Sequence, residues 1–293
     1  MQAASALMDE AAADLAAAGS ATFPFTVPAG FAGFSTPTTF LRFNRALAAK
    51  ILVHRATFVN CAACWAQANT AINASFVNAA GLPGTLSTGV NYFYSAAALE
   101  PANPVSEPLT NERLWVHPSL LSGVQNKANG QPDDRLTRKV TSAGRTINLN
   151  DLIGTHKPTL YNVVGNPAVA NLGAPIPWIN NEELLLLRAE IRWNTGARPG
   201  AIDDLNLVRV NSGGLAATTL TAGSADGAFV TELLYNRLYS LMWAQGTRWI
   251  DARRYGRTQQ LPADRAGDTR FENMIVPANE CTARGLEAPC LPL

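Results

Sequence analysis

The stretch from Pro175 to Arg254 constrains the fold of this chain most, because apolar residues recur there at helical spacing on both sides of a short glycine-bounded turn. Leu184, Leu187 and Ile191 fall on one helical face, and Leu186, Ala189 and Trp193 form a neighbouring stripe. A helix with two apolar stripes must be covered from two sides, as in a stacked array. Gly196 ends it, and Pro199 stands where a new helix begins. That second helix carries Ala201, Leu205 and Val208 on one face. Asp203 and Asp204 lie in its first turn, where the helix dipole favours carboxylates. A longer third helix is predicted to run to Gly246, with Trp193 and Trp243 in core stripes. Two antiparallel helices on so short a connection have the size of a tetratricopeptide hairpin. The rhythm recurs between Phe40 and Phe76. Leu47, Ile51 and His54 lie along one ridge there, and Ala66, Ile72 and Phe76 supply the partner helix. Ala4 to Ala18, rich in alanine, reads as a surface helix. The fold class is therefore mainly α, built of tetratricopeptide-like hairpins.

Between Gly81 and Trp178 the periodicity fades, and Gly, Pro, Asn, Ser and Thr rise. Lys139 to Leu149 is expected to form a minor β-hairpin around Ala143-Gly144; the rest reads as long irregular loops. Structureless stretches of this length inside a domain are usually functional. This one holds Tyr92-Phe93-Tyr94 and Trp115. Sugars stack on flat aromatic faces rimmed by amide and charged groups. Tyr92, Tyr94 and Trp115, with Asn91, Asn111 and Glu112 beside them, have that make-up. The competing reading is that each ring anchors a loop to the core. Trp178 is expected to cover the start of the helix after it, with Asn180 as N-cap. Arg248, Trp249, Asp251, Arg253 and Arg254 read as a structural knot, in which arginines pair with helix-end carbonyls and a carboxylate above Trp249. No glycine-rich phosphate loop accompanies them.

Composition removes several function classes. At 293 residues the chain has ample length for a large core. Only 15% of residues are charged and the net charge is +1, so the basic excess that nucleic acid demands is missing. No apolar run is long enough to span a membrane as a helix. Cys61 and Cys64 form C-x-x-C, open to reading as a redox pair, half a zinc site or a tight disulfide. Zinc takes about four ligands, and Cys281 and Cys290 lack the matching spacing, so no metal is assigned. His54, His117 and His156 belong to no H-x-x-x-H or H-E-x-x-H, and G-x-S-x-G is absent. The adjacent pairs Asp133-Asp134 and Glu182-Glu183 read as solvated turns or helix starts. No catalytic residue and no cofactor follow. Two alternatives stay open: a helical-toroid glycoside hydrolase with carboxylates facing across a cleft, and a tetratricopeptide-like scaffold binding proteins. The long middle connections speak against the scaffold.

Several ordered pieces together resemble the SusD/RagB family of outer-membrane nutrient-binding proteins. They are E-L-L-L-L-R-A-E (Glu183 to Glu190), G-A-I-x-D-L-N-x-V-R (Gly200 to Arg209), Ser212-Gly213-Gly214, G-x-R-W-x-D-x-R-R-x-G (Gly246 to Gly256), and P-x-x-E at Pro277 and Glu280. Upstream stands F-x-V-P-x-G-F-x-G-F-x-T-P, from Phe25 to Pro37, followed by F-N-R-A-L-A-A-K. The resemblance implies one SusD-like domain. Residues 1–80 would form N-terminal helical hairpins, 81–178 a loop-rich ligand region, and 179–293 a C-terminal hairpin and tail. It also implies a non-catalytic lipoprotein on the outward face of the outer membrane. Such a protein hands glycan or another oligomeric nutrient to a SusC-like TonB-dependent transporter. In an exported protein of this kind the expected pairing is Cys61–Cys64 and Cys281–Cys290. Two departures stand out. Gln245 replaces the family's usual Glu, and the chain opens MQAASALMDEAAADL, with no basic n-region, apolar h-region or lipobox cysteine. Family members run longer at this end, so a fragment lacking its export signal and first helices is expected.

Overall fold

The first helical hairpin starts where the sequence places a strong stop-and-start signal. The Thr36 hydroxyl accepts the Thr39 N–H, the Thr39 hydroxyl accepts the Thr36 N–H, and Pro37 occupies the first helical position. In the computed structural model, which describes residues 1–149, 151–244, 247–265, 267–273, 276–287 and 290, α1 (Gln2–Ala18) lies on α2 (Pro37–Phe58). The chain then turns back as α3 (Ala62–Asn73). Ala46, Ala49 and Val53 of α2 meet Cys64, Ala68 and Ile72 of α3 in one buried cluster, small side chains that let the axes approach. Cys61 and Cys64 are joined across the first turn of α3.

The middle of the chain holds more strand than its composition suggests. β1 (Gly89–Tyr92) pairs antiparallel with β6 (Ile176–Asn180), clipping together the two ends of the loop-rich stretch. A Cβ on Gly89 would lie 2.1 Å from the Ile179 carbonyl oxygen, so only glycine permits this approach. Between them lie α4 (Ser119–Ser122), α5 (Asp134–Lys139), β2 (Val140–Leu149), β3 (Leu152–Pro158), β4 (Asn162–Val163) and β5 (Asn166–Ala170). The expected hairpin around Ala143-Gly144 is corrected here. Val140–Leu149 is one strand whose partner is β3, and the ladder closes at Leu149 opposite Leu152. Ala143 and Gly144 belong instead to a bulge between Ser142 and Ile147, where Gly144 takes φ +67°.

The second hairpin is the one its apolar spacing describes. Asn180 caps α6 (Asn181–Asn194), its side-chain oxygen accepting the Glu183 N–H at 2.9 Å. Leu184, Leu187 and Ile191 enter the core shared with the first hairpin. Leu185, Leu186, Ala189 and Trp193 enter a second core with Ala201, Leu205 and Val208 of α7 (Arg198–Gly213). Phe229 of α8 (Asp226–Ser240) stacks on Trp193 at 4.1 Å. The third helix does not continue to Gly246. It stops at Ser240, where the buried Lys139 ammonium donates to the Tyr239 and Ser240 carbonyls, each at 2.6 Å. Burial lowers the Lys139 pKa to about 8. Trp243 therefore lies in a connection, half-buried with φ +59°, and not in a helical stripe. Gln245 and Gly246 lie outside the described residues. α9 (Thr247–Arg254) and α10 (Ala278–Ala283) follow, and Cys281 is joined to Cys290.

The arginine knot at α9 is structural, but its partners differ from those expected. Arg254 is buried with its guanidinium forked onto Glu190 of α6, and its Nε donates to Asp251 at 2.8 Å. Arg237 of α8 donates to the other Asp251 oxygen at 2.8 Å, and the Tyr255 hydroxyl donates to Glu190 at 2.5 Å. Carboxylates, not helix-end carbonyls, meet these cations. Burial pushes the Asp251 carboxyl up, but Arg237 and Arg254 outweigh it and hold the group below the ordinary range. Trp249 donates its indole N–H to the Phe271 carbonyl, with Arg253 over its ring at 4.4 Å. The acidic pairs do mark helix starts, yet they are not all solvated. Asp133 is fully buried on Arg135, and Glu183 is buried beside Lys50 at 2.8 Å.

Candidate functional site

The predicted site residues fall into separate places. Tyr92 ends β1 with one face stacked on Trp178, at 5.2 Å and 20°. It is still 45% exposed, so its other face is open to solvent. Trp178 thus lies in β6 as part of an aromatic stack, where the sequence reading had it covering the start of α6. Asn91 precedes Tyr92, and its carbonyl presses on Gly30. Tyr94 packs into a small cluster with Tyr161, Ala174 and Ile176. Trp115 is elsewhere, in a loop packed against β3, with its ring over Gly154, where a Cβ would come within 2.8 Å. Its indole N–H donates to the Glu112 carbonyl at 2.9 Å. Lys157 Nζ and the Arg145 guanidinium sit 4.9 and 5.3 Å from the ring centre. Asn111 belongs to this second group: its side-chain oxygen accepts the Arg113 N–H, and its carbonyl accepts from Lys157 at 2.7 Å. Adjacent in sequence, these aromatics form no shared platform in space.

A different feature ties Tyr92 to the first hairpin. From Trp178 the rings continue through Phe43 (5.4 Å) to Phe34 (6.3 Å) and Phe76 (4.9 Å). At the far end of this seam a groove of about 400 Å³ opens. That volume is within the range of small-molecule sites, roughly 300–1,000 Å³. Phe34, Thr39 and Arg42 form one wall, and Phe76, Asn78 and Thr88 stand on the other. The second wall is loop, yet it is held as firmly as a strand. Fully buried Asn181 donates its amide to the Asn78 carbonyl at 2.7 Å and accepts the Asn78 N–H at 2.8 Å. The Asn181 and Glu182 backbone N–H groups donate to the Thr88 and Leu86 carbonyls at 2.8 and 3.0 Å. The α6 N-terminus thus uses its free N–H groups to fix the groove.

Sequence reading missed these residues. Phe34 was visible only as a letter in a family-like run, and Phe76 only as a helical apolar position. Arg42 and Thr88 lie 46 positions apart with no periodic signal joining them. Among the described residues no carboxylate or histidine lines the groove. His54 lies between helices, where burial first, and then Arg254, Arg237 and Lys50, lower its pKa to about 3. His117 pairs with Asp264 at 2.8 Å, and His156 Nδ1 lies 2.9 Å from the Thr155 hydroxyl. Among the described residues no three His, Cys, Asp or Glu side chains converge as a metal site would require.

The fold of this chain is similar to that of solved SusD superfamily structures. A SusD superfamily protein from Bacteroides vulgatus superposes with a TM-score of 0.54 at 17% identity, over 86% of this chain and 58% of that one. B. fragilis NanU gives 0.51 at 15% identity, over 72% and 55%. A third SusD superfamily protein, from Parabacteroides distasonis, gives 0.50 at 15%, over 72% and 51%. The chain therefore spans somewhat more than half the length of these structures. No protein-family profile matches the sequence, and neither does any curated protein.

Proposed function

We propose that this chain is a non-catalytic binding protein that captures an oligomeric nutrient, an oligosaccharide by chemistry, and delivers it to a SusC-like TonB-dependent transporter at the outer membrane. The observation that carries this reading is the groove: among the described residues its lining combines aromatic rings with amide and hydroxyl groups and holds no acidic pair. Glycosidic cleavage requires two carboxyl groups flanking the bond, and the lining residues supply none, which favours binding over the hydrolase alternative. Of the sequence candidates, Tyr92 keeps a ring face available for a sugar. Trp115 has its ring taken up by Gly154, Lys157 and Arg145, and serves the loop that carries it. Among the described residues no helix is long and apolar enough to cross a membrane. Placement at the outer membrane and the transporter partnership rest on the family resemblance. The test is incubation with oligosaccharides of several chemistries. Retention of a ligand without release of reducing ends supports the reading, whereas steady release of reducing ends sinks it.

A further inference from the structure

The groove's side chains leave one charge unmatched. Two of its side-chain acceptors are used internally. The Asn78 side-chain oxygen takes the Ala80 N–H at 2.9 Å, and the Thr39 hydroxyl takes the Thr36 N–H at 3.1 Å. The Thr39 hydroxyl also gives its proton, to the Thr36 carbonyl at 3.1 Å. The walls keep the Asn78 amide NH₂ and the Arg42 guanidinium as donors, and the Thr88 hydroxyl, which both donates and accepts. Arg42 is exposed, and no hydrogen bond or ion pair reaches it among the described residues. On the same helix Arg45 is paired with Asp9 and Lys50 with Glu183, each at 2.8 Å. Arg42 is also the one charged residue lining the groove. It stands early in a 22-residue helix, whose positive end adds to the same potential.

We infer that the groove takes an oligosaccharide bearing a carboxylate, with a sugar face on Phe76, the carboxylate on the Arg42 fork, and ring hydroxyls met by Asn78 and Thr88. This rests on the binding reading above and names the ligand class of the same site. Carboxylate suits the site better than a more highly charged group, because a single planar guanidinium matches it bidentately with no second cation nearby. A neutral glucan would leave Arg42 without a partner, and a polyanion would find only one cation to meet it.

The test is a binding panel on the whole chain. Its arms are xylo-oligosaccharides carrying a single glucuronate, the same oligomers after carboxyl reduction, sulfated galacto-oligosaccharides free of uronate, and neutral gluco- and xylo-oligosaccharides. Each is measured with the native protein, Arg42→Gln, Arg42→Lys and Phe76→Ala. Binding of the uronate oligomers is expected, weakened about tenfold or more by carboxyl reduction or by Arg42→Gln, and partly kept in Arg42→Lys. Because Arg42 is exposed, Arg42→Gln is expected to leave thermal unfolding unchanged. Neutral or sulfated oligosaccharides binding better than uronates, with Phe76→Ala harmful and Arg42→Gln silent, would overturn the inference and leave the nutrient-binding reading intact. Failure of every saccharide to bind would remove both.

Discussion

The second hairpin and the groove handle charge in opposite ways. Around α6, α8 and α9, Glu190, Asp251 and Arg254 are buried and meet in close pairs, with Arg237 joined to them through Asp251. At the groove, Arg42 is exposed and unpaired among the described residues. Removing charges from water costs several kcal/mol per ion, and only well-made pairing offsets it. The interhelical network is thus committed to holding one arrangement of helices. Arg42 has paid no desolvation cost in advance and is free to meet a charge from outside. Where a cation is buried with its partner it organises the fold; where it borders a cavity alone, it selects a ligand.

The largest effect should come from breaking the first of these. Glu190→Ala leaves the two terminal nitrogens of the buried Arg254 guanidinium, and the Tyr255 hydroxyl, without their acceptor. Loss of one partner from a buried pair costs about 3–5 kcal/mol. Chemical denaturation should register that loss in full, while any oligosaccharide affinity measured below the transition stays as it was. Wild-type stability in this variant would mean that the network contributes nothing and that the contrast with Arg42 is empty.

Next comes Trp115→Ala. The ring covers Gly154 and lies beside Lys157 and Arg145, so its removal should cost about 2–4 kcal/mol, somewhat less than a fully buried tryptophan. Affinity for oligosaccharide should be unchanged. The opposite pattern, intact unfolding with lost binding, would return Trp115 to the ligand site and split the site in two.

How much of this was legible in the chain follows from the same contrast. The two stripes of α6 were readable because Leu184, Leu187, Ile191 and their neighbours repeat at the helical period, which burial on two sides enforces. The end of α8 was not, because its C-terminal carbonyls are met by Lys139, about 100 residues away in the chain. Gly144 was misread because a positive φ serves a bulge as well as a reversal. The aromatic candidates were chosen by closeness in sequence, yet a strand clip carries Tyr92 to Trp178 while Trp115 goes to β3. The loop wall of the groove is fixed by Asn181, a contact across 103 positions for which no local pattern exists.

Acidity sharpens the comparison through a slope in place of a single loss. His54 has a folded-state pKa of about 3 against an ordinary value of 6.5. The unfolded chain therefore takes up the proton first as pH falls. The stability this neutral histidine contributes is complete above pH 6.5 and declines steadily from there to about pH 3. The slope from one such group is at most about 1.4 kcal/mol per pH unit. His54→Gln should flatten the dependence of the unfolding midpoint on pH between 6.5 and 4, while Arg42→Gln should not alter it. Parallel profiles for the wild type and His54→Gln would show that His54 is protonated in the folded protein.

The smallest expected change is at Tyr92, which tests whether the exposed end of the aromatic seam belongs with the buried interior or with the groove. Its stack on Trp178 is worth about 1 kcal/mol beyond the area it buries, so Tyr92→Ala should lower stability by about 1–2 kcal/mol. The open ring face gives it a second role that a buried ring could not have. An oligosaccharide long enough to extend beyond the groove has Tyr92 as a second exposed aromatic surface; Phe34 and Phe43, which link the two ends of the seam, are buried and offer it none. Tyr92→Ala is therefore expected to weaken binding of long oligomers a few-fold, by about 1 kcal/mol or less, and to leave trisaccharide binding untouched. Equal affinities for long oligomers in the variant and the wild type would confine recognition to the groove and class Tyr92 with the structural aromatics.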